Sequence, residues 1–212
     1  FIIYFLTLSF IFLRKKQIKP IFVSFLITLL FLSPYLIRNY NIFNVITITK
    51  SSGYNLWRGN HLNANVEGNQ KHSLELKRKV ENIKPSIKYD LDLDNLYLKE
   101  ALKNIKENPG YFLKLYFKKV LSFLFIDINS TYENYYNYLN ILPKILISIT
   151  TLLGIFLLTK KETFLIYYAF YYFFNIFLFS LFFILPRYSL MLLPIQIFLT
   201  CYLIKKIRVY LK

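Results

Sequence analysis

Apolar residues form five long blocks along the chain, and each block ends at a charge cluster or a polar turn. The blocks are Phe1–Leu13, Pro20–Ile37, Ile141–Thr159, Thr163–Pro186 and Ser189–Ile204. A helix needs about 20 apolar residues to cross roughly 30 Å of hydrocarbon, and several of these blocks come close to that length. The pattern therefore predicts an all-α polytopic membrane protein with about five transmembrane helices.

One long polar stretch, residues 38–140, separates the second block from the third. The chain is thus predicted to have two transmembrane helices in residues 1–37 and three more, followed by a basic tail, in residues 141–212. Residues 38–140 then form one large loop region with short helices of its own.

Basic residues in the short connections predict the orientation. They lie at Arg14–Lys19, at Lys160 and Lys161, and in the tail at Lys205–Lys212. Because Lys and Arg collect on the cytoplasmic side of membrane helices, all three clusters can be cytoplasmic in one consistent arrangement. We therefore expect residues 38–140 to be extracytoplasmic, on the outer face of a bacterial inner (plasma) membrane.

Two helices are predicted within this loop region. Apolar residues recur at helical spacing from Leu98 to Ile105, with Asp94 as the expected N-cap and Asn108-Pro109-Gly110 as the stop signal.

The second helix, Tyr111–Phe125, is apolar except for Lys114, Lys118 and Lys119, which we expect on one polar stripe. We interpret it as an amphipathic helix lying in the membrane interface. The alternative is that this segment is a sixth membrane span. It would invert the membrane orientation of all later helices and place Lys160 on the outer side, contrary to the charge rule.

Composition supports a membrane protein and excludes several functions. Hydrophobic residues make up 56% of the chain and aromatic residues 20%. The net charge of +16 does not indicate nucleic-acid binding, because the loop region mixes acids with its bases and the other basic residues lie at membrane edges. Cys201 is the only cysteine, and His61 and His72 stand alone, so no disulfide and no metal site is predicted, and no cofactor motif is present.

The chain begins with Phe1 inside an apolar run, without a basic region before it. We therefore expect it to be the C-terminal part of a longer membrane protein.

Two sequence blocks resemble a known family. The first is Ser33-Pro34-Tyr35-Leu36-Ile37-Arg38-Asn39-Tyr40, and the second is Gly53-Tyr54-Asn55-Leu56-Trp57-Arg58-Gly59-Asn60. Together they are similar to the pattern P-W-x-x-R-N-x-x-x-F, a strand and then G-x-N-L-W-x-G-N. That pattern is typical of GT-C integral membrane glycosyltransferases, with bacterial relatives of protein O-mannosyltransferases and aminoarabinose transferases nearest. Tyr35 stands where the pattern has Trp.

Two later segments extend the resemblance. They are Asn108-Pro109 before a helix with Lys118 and Lys119, and Leu185-Pro186-Arg187-Tyr188 at the start of the last span. The resemblance implies a transferase that takes a sugar from a polyprenyl-phosphate-linked donor to a lipid, glycan or protein acceptor on the outer face. It places the catalytic aspartate in a first outer loop upstream of Phe1, so no catalytic residue is assigned in this chain.

The candidate substrate-binding residues come from these blocks: Arg38, Asn39, Trp57, Gly59, Asn60, Arg187 and Tyr188. Arg38 and Arg187 lie at the depth of a lipid phosphate, which the planar guanidinium group binds with two parallel hydrogen bonds. The alternative is that both arginines only anchor helix ends. Trp57, Gly59 and Asn60 can form a turn over the sugar site, where Gly53 and Gly59 would allow positive φ, or they can serve packing.

Two other functions fit the same outline. One is an O-antigen-type polymerase or ligase, which also has many spans, a long outer loop and arginines for a lipid pyrophosphate. The other is a non-catalytic membrane subunit or a transporter, although transporters tend to carry broken helices and charges within their spans.

Overall fold

The computed structural model describes residues 9–14, 16–48, 50–158, 162 and 164–211. The helices are α1 Ile18–Phe43, α2 Ser52–Gly59, α3 Leu74–Glu81, α4 Tyr89–Glu107, α5 Pro109–Leu124, α6 Tyr138–Leu158, α7 Leu165–Ser180 and α8 Leu193–Tyr210, with a 3₁₀ helix at Pro186–Leu192 before α8. Residues 9–14 are also helical. None of the described residues is in a strand, including those between α1 and α2, where the resemblance implies one.

Three helices are long and apolar enough to cross a membrane: Ile18–Phe43, Tyr138–Leu157 and Pro186–Val209. The chain is therefore an all-helical membrane protein. The fourth predicted span corresponds to α7, which is apolar but has 16 residues and so reaches about 24 Å at 1.5 Å per residue. Residues 1–8 of the first predicted span, and Lys160 and Lys161, lie outside the described residues. The count of five spans stays a prediction.

Helix α1 stands apart from the other helices. None of its most apolar window is buried within the chain, and Leu30 and Phe31 are among its exposed side chains. It continues beyond the predicted end at Ile37 to Phe43, so Arg38 and Asn39 are helical. An exposed apolar surface of this kind suits contact with lipid or with other membrane helices.

The remaining membrane helices pack closely. α6 lies against α8, where the hydroxyl oxygens of Thr150 and Thr200 are 2.9 Å apart and Gly154 faces the Leu199 carbonyl. Small residues at i and i+4, here Thr150 and Gly154, let two membrane helices approach each other. α7 contributes Leu165, Tyr172 and Ile176 to the same core.

The part of the chain between α1 and α6 has a small core of its own, formed by Trp57, Leu76, Tyr97 and Ala101. α2 packs against α4 there. The predicted start of α4 at Asp94 is wrong: the helix begins at Tyr89. Asp90 and Asp92 lie in its first turn, where carboxylates are stabilised by the helix dipole, and Asp94 is left for another role.

The buried face of α4 is also displaced from the predicted one. Tyr97, Ala101 and Asn104 are buried, whereas Leu102 is exposed. The predicted stop at Asn108-Pro109-Gly110 is confirmed, because α4 ends at Glu107 and α5 begins at Pro109.

Helix α5 contains the largest deviation from the predicted pattern. Lys114 and Lys118 are exposed, as expected for a polar stripe, but Lys119 is completely buried. Lys118 and Lys119 are about 100° apart around the helix, so one of them points away from the stripe. α5 packs against α7 through this buried side.

Candidate functional site

The G-x-N-L-W-x-G-N block forms helix α2, and Asp94 on α4 holds the start of that helix. The Asp94 carboxylate accepts a hydrogen bond from the Tyr54 backbone N–H at 2.8 Å. A Cβ added at Gly53 would lie 2.1 Å from the Asp94 carbonyl oxygen. Asp94 thus caps α2 from a neighbouring helix, and Gly53 allows the two backbones to approach.

The end of α2 packs in a similar way against the segment that follows α7. A Cβ added at Gly59 would lie 2.1 Å from the carbonyl oxygen of Phe182. The buried Asn60 side chain donates to the carbonyl oxygens of Leu56 at 2.8 Å and Leu181 at 2.7 Å. These contacts join two segments that are about 120 residues apart in the chain.

The predicted positive φ at Gly53 and Gly59 is wrong. Among the described glycines only Gly68 has a positive φ, of 68°. Gly53 and Gly59 are helical, and both are required because a side chain would collide with a backbone oxygen. The sequence shows that glycine is needed at these positions but does not distinguish a turn from a close contact.

Lys119 on α5 contacts the end of α2, and we call this contact the junction of α2 with α5. Its Nζ donates to the Gly59 carbonyl oxygen at 2.7 Å and to Asn60 Oδ1 at 3.1 Å. Loss of hydration on burial lowers the pKa of Lys119 to about 7, even though both acceptors favour the charged form. The amino group of Lys119 therefore joins the end of α2 to α5, and its complete burial keeps it from contacting a substrate.

Trp57 is buried at 1% exposure between two histidines. The rings of His61 and His72 stack on it at 4.9 Å, with interplanar angles of 19° and 10°. The indole is therefore almost inaccessible, which favours the packing interpretation of Trp57 over stacking on a sugar. His61 is buried and His72 is exposed, and both rings contact Trp57.

Arg38 and Arg187 lie in different surroundings. Arg38 is exposed on α1, and the buried Asn39 donates to the Thr47 carbonyl oxygen at 2.7 Å, which stabilises the bend after that helix. Arg187 is exposed on the 3₁₀ helix. Since α1 packs only slightly on the rest of the described chain, Arg38 and Asn39 are not brought to the junction of α2 with α5.

Tyr188, in contrast, lies beside α2. A cavity of about 250 Å³ is lined on one side by Ser51, Ser52 and Asn55. Its other side consists of Tyr188 with Phe179, Phe182 and Phe183. The structure thus places the G-x-N-L-W-x-G-N block and the L-P-R-Y block around one pocket.

A second cavity, of about 360 Å³ and also mainly apolar, lies beside the 3₁₀ helix. Pro186, Ser189 and Leu190 line it, together with Phe123 at the end of α5 and Lys144 on α6. Lys144 donates only a long hydrogen bond of 3.4 Å, to the Ser122 carbonyl oxygen, among the contacts of the described chain. Arg187 therefore projects from a short helix whose neighbouring residues line two cavities.

No family model, no curated protein and no solved structure matches the chain. Within the described ranges, no three His, Cys, Asp or Glu side chains come close enough together to hold a metal ion. The site is therefore interpreted from its geometry and from the sequence blocks that form it.

The sequence pattern did not predict that Lys119 is buried, and it did not predict the cavity beside Lys144. The signal for Lys119 was available, because two adjacent lysines cannot share one narrow stripe with Lys114. The cavity had no sequence signal, since its walls come from α5, α6 and the 3₁₀ helix.

Proposed function

We propose that this chain is part of a membrane glycosyltransferase that moves a sugar from a polyprenyl-phosphate donor to a lipid, glycan or protein acceptor on the outer face of the membrane. The observation that carries the proposal is the meeting of the two sequence blocks. Asn55 and Tyr188, which lie more than 130 positions apart, line one pocket. Motifs that belong to one site are expected to converge in this way.

The surroundings of Arg187 suit a lipid phosphate. The candidate span Pro186–Val209 begins at this point, so Arg187 lies at the end of the span, at the boundary of the hydrocarbon. The apolar cavity beside it offers a surface for an isoprenoid chain, and Lys144 adds a second cation near its wall. An apolar surface next to the exposed Arg187 and the partly buried Lys144 matches a ligand with an aliphatic chain and an anionic head.

The reaction requires three events at the donor. The acceptor hydroxyl oxygen attacks the anomeric carbon, the bond from that carbon to the phosphate oxygen breaks, and the hydroxyl proton passes to a base. In this proposal Arg187 stabilises the charge that develops on the leaving phosphate. The resemblance assigns the base to an aspartate in the first outer loop of the family.

Donor binding to the chain in lipid nanodiscs tests the proposal. With a radiolabelled polyprenyl-phosphate hexose as the probe, we expect Arg187→Ala to weaken binding about 10- to 100-fold, since a hydrogen bond to a charged group contributes about 1.5–3 kcal/mol. Arg187→Lys should restore part of the affinity, because the charge returns without the bidentate geometry.

Arg208→Ala provides the matched control, because Arg208 is exposed near the other end of α8. It should bind the donor as the unmodified chain does. Equal affinity in Arg187→Ala and Arg208→Ala would show Arg187 to be a membrane anchor. Tighter binding of a pyrophosphate-linked saccharide than of the phosphate-linked hexose would favour the polymerase or ligase.

A further inference from the structure

The guanidinium group of Arg58 is held in place without a polar partner. Its Cζ lies 4.2 Å from the centroid of the Phe183 ring, within the range of a cation–π contact. Gly68 packs on both residues, because a Cβ added there would lie 3.1 Å from Arg58 Cγ and 2.9 Å from Phe183 Cβ. Among the described residues, the Arg58 side chain has no hydrogen-bond or ion-pair partner. Only its Nε is enclosed, so the two terminal nitrogens are accessible to a ligand.

Arg58 borders the pocket between α2 and Tyr188. Ser51 and Asn55 line this pocket from α2, and Arg58 follows Asn55 by three positions, on the same face of the helix. Phe183, on which the guanidinium stacks, belongs to the opposite wall. The cation therefore lies at the end of the pocket that is next to the C-terminus of α2.

The two ends of the pocket differ in charge. At the N-terminal end of α2, Ser52 Oγ donates to the Asp94 carboxylate at 3.4 Å, so a second negative charge is disfavoured there. Ser52 and Arg58 are separated by about 9 Å along the helix at 1.5 Å per residue. An anionic group on a ligand is therefore directed toward Arg58, whose planar guanidinium can donate two parallel hydrogen bonds to a carboxylate.

The remainder of the pocket suits a ring that carries hydroxyl groups. Phe179, Phe182 and Tyr188 supply aromatic surface. The Asn55 amide and the Tyr188 hydroxyl make no hydrogen bond within the described part of the chain, so both can pair with ligand hydroxyls. A volume of about 250 Å³ is below the roughly 300 Å³ at which ligand pockets usually begin, so the pocket accommodates one sugar ring rather than an oligosaccharide.

We propose that the sugar carried by the donor is a uronic acid, whose ring occupies this pocket and whose carboxylate binds Arg58. The inference rests on the proposed function, because a donor phosphate at Arg187 brings the attached sugar next to Tyr188, the following residue. Arg58 is then a specificity-determining residue. It selects the sugar, whereas Arg187 binds the phosphate that all such donors share.

Pairs of donors that differ only at C6 of the sugar test the proposal. Polyprenyl-phosphate glucuronic, galacturonic and mannuronic acids are each compared with the neutral hexose donor of the same configuration. The radiolabelled donors are bound to the full chain in lipid nanodiscs, and the ratio of the two dissociation constants is measured for each pair. In at least one pair we expect the uronic acid donor to bind at least about 10-fold more tightly.

Arg58→Gln and Arg78→Gln form a matched pair of variants. Arg58→Gln should reduce the ratio to about 1, and Arg58→Lys should restore only part of it because the bidentate geometry is lost. Arg78 is exposed on α3, outside the residues that line the pocket, so Arg78→Gln should keep the ratio of the unmodified chain.

Asn55→Asp gives a second test if Arg58→Gln does not fold, which thermal unfolding of each variant establishes. It adds a carboxylate to the pocket within one helical turn of Arg58. Repulsion between like charges should therefore weaken binding of the uronic acid donor more than binding of the neutral donor.

The outcomes separate this proposal from the proposed function. Equal affinity for the two donors in all three pairs would overturn it, as would a preference that Arg58→Gln and Arg78→Gln lower equally or that Asn55→Asp leaves unchanged. Each of these results leaves sugar transfer standing if Arg187→Ala still weakens binding of both donors. If Arg187→Ala weakens binding of neither donor, the proposed function fails and this inference fails with it.

Discussion

Replacement of Lys119 by methionine tests the buried junction between α2 and α5. Lys119→Met keeps an unbranched side chain, shorter by one heavy atom, and removes the titratable group. The pKa of Lys119 falls from its ordinary value of 10.5 to about 7 in the folded chain. Between these two values the unfolded chain binds a proton that the folded chain does not. The folded state is therefore stabilised as the pH rises from about 7 toward 10.5.

The magnitude follows from this difference. Each pKa unit corresponds to about 1.4 kcal/mol, so Lys119 should contribute a rise in the unfolding free energy of at most about 1.4 kcal/mol per pH unit in this window. From pH 7.5 to 9.5 the increase is about 2–3 kcal/mol. For a chain of this size that equals a shift of roughly 5–10 °C in the unfolding midpoint. Lys119→Met should lack this contribution, so its unfolding free energy should rise less with pH than that of the unmodified chain.

The loss of the two hydrogen bonds has a different effect on the unfolding free energy. Without the ammonium group, the Gly59 carbonyl oxygen and Asn60 Oδ1 each lose this partner, at a cost of about 1–3 kcal/mol per group. This cost does not depend on pH, so it lowers the unfolding free energy equally at every pH and leaves its slope against pH unchanged. The slope and the offset can therefore be measured separately.

The assay is thermal unfolding in detergent at pH 7.5, 8.5 and 9.5, followed by Trp57 emission. Lys118→Met is the matched control, because Lys118 is adjacent to Lys119 but exposed. It should keep the slope of the unmodified chain. The reasoning is refuted by a midpoint difference between the unmodified chain and Lys119→Met that is the same at all three pH values.

Two further predictions concern the backbone and the topology. Gly59→Ala should destabilise the chain by several kcal/mol or prevent folding, because its Cβ would lie 2.1 Å from the Phe182 carbonyl oxygen. Gly110→Ala, with nothing within 4 Å of the added Cβ, should be neutral or slightly stabilising, and thermal unfolding of both variants checks the contrast. A phosphatase fused after Lys212 should be inactive in cells, whereas one inserted in residues 82–88 should be active. Activity of the Lys212 fusion would contradict the proposed orientation.

The membrane character of the chain follows from its sequence alone. Runs of about 20 apolar residues leave few alternatives to a spanning helix, because backbone groups in hydrocarbon must be paired within the helix itself. The break between α4 and α5 is equally local. Asn108 and Pro109 disfavour helix continuation, and proline is well suited to the first turn of the helix that follows. These features depend on neighbours in the sequence, so a pattern reveals them.

The roles of single residues in the junction depended on contacts between distant segments. The sequence suggests that Gly59 is a turn glycine, but in the structure it allows close contact with the backbone at Phe182. Asp94 reads as the cap of its own helix, yet its carboxylate accepts the Tyr54 N–H of α2. Lys119 reads as an interfacial cation, yet it lies buried on the Gly59 carbonyl oxygen. Periodicity shows which face of a helix is apolar, but the atom that meets a given side chain comes from a segment 40 to 120 residues away, and only the packed structure decides it.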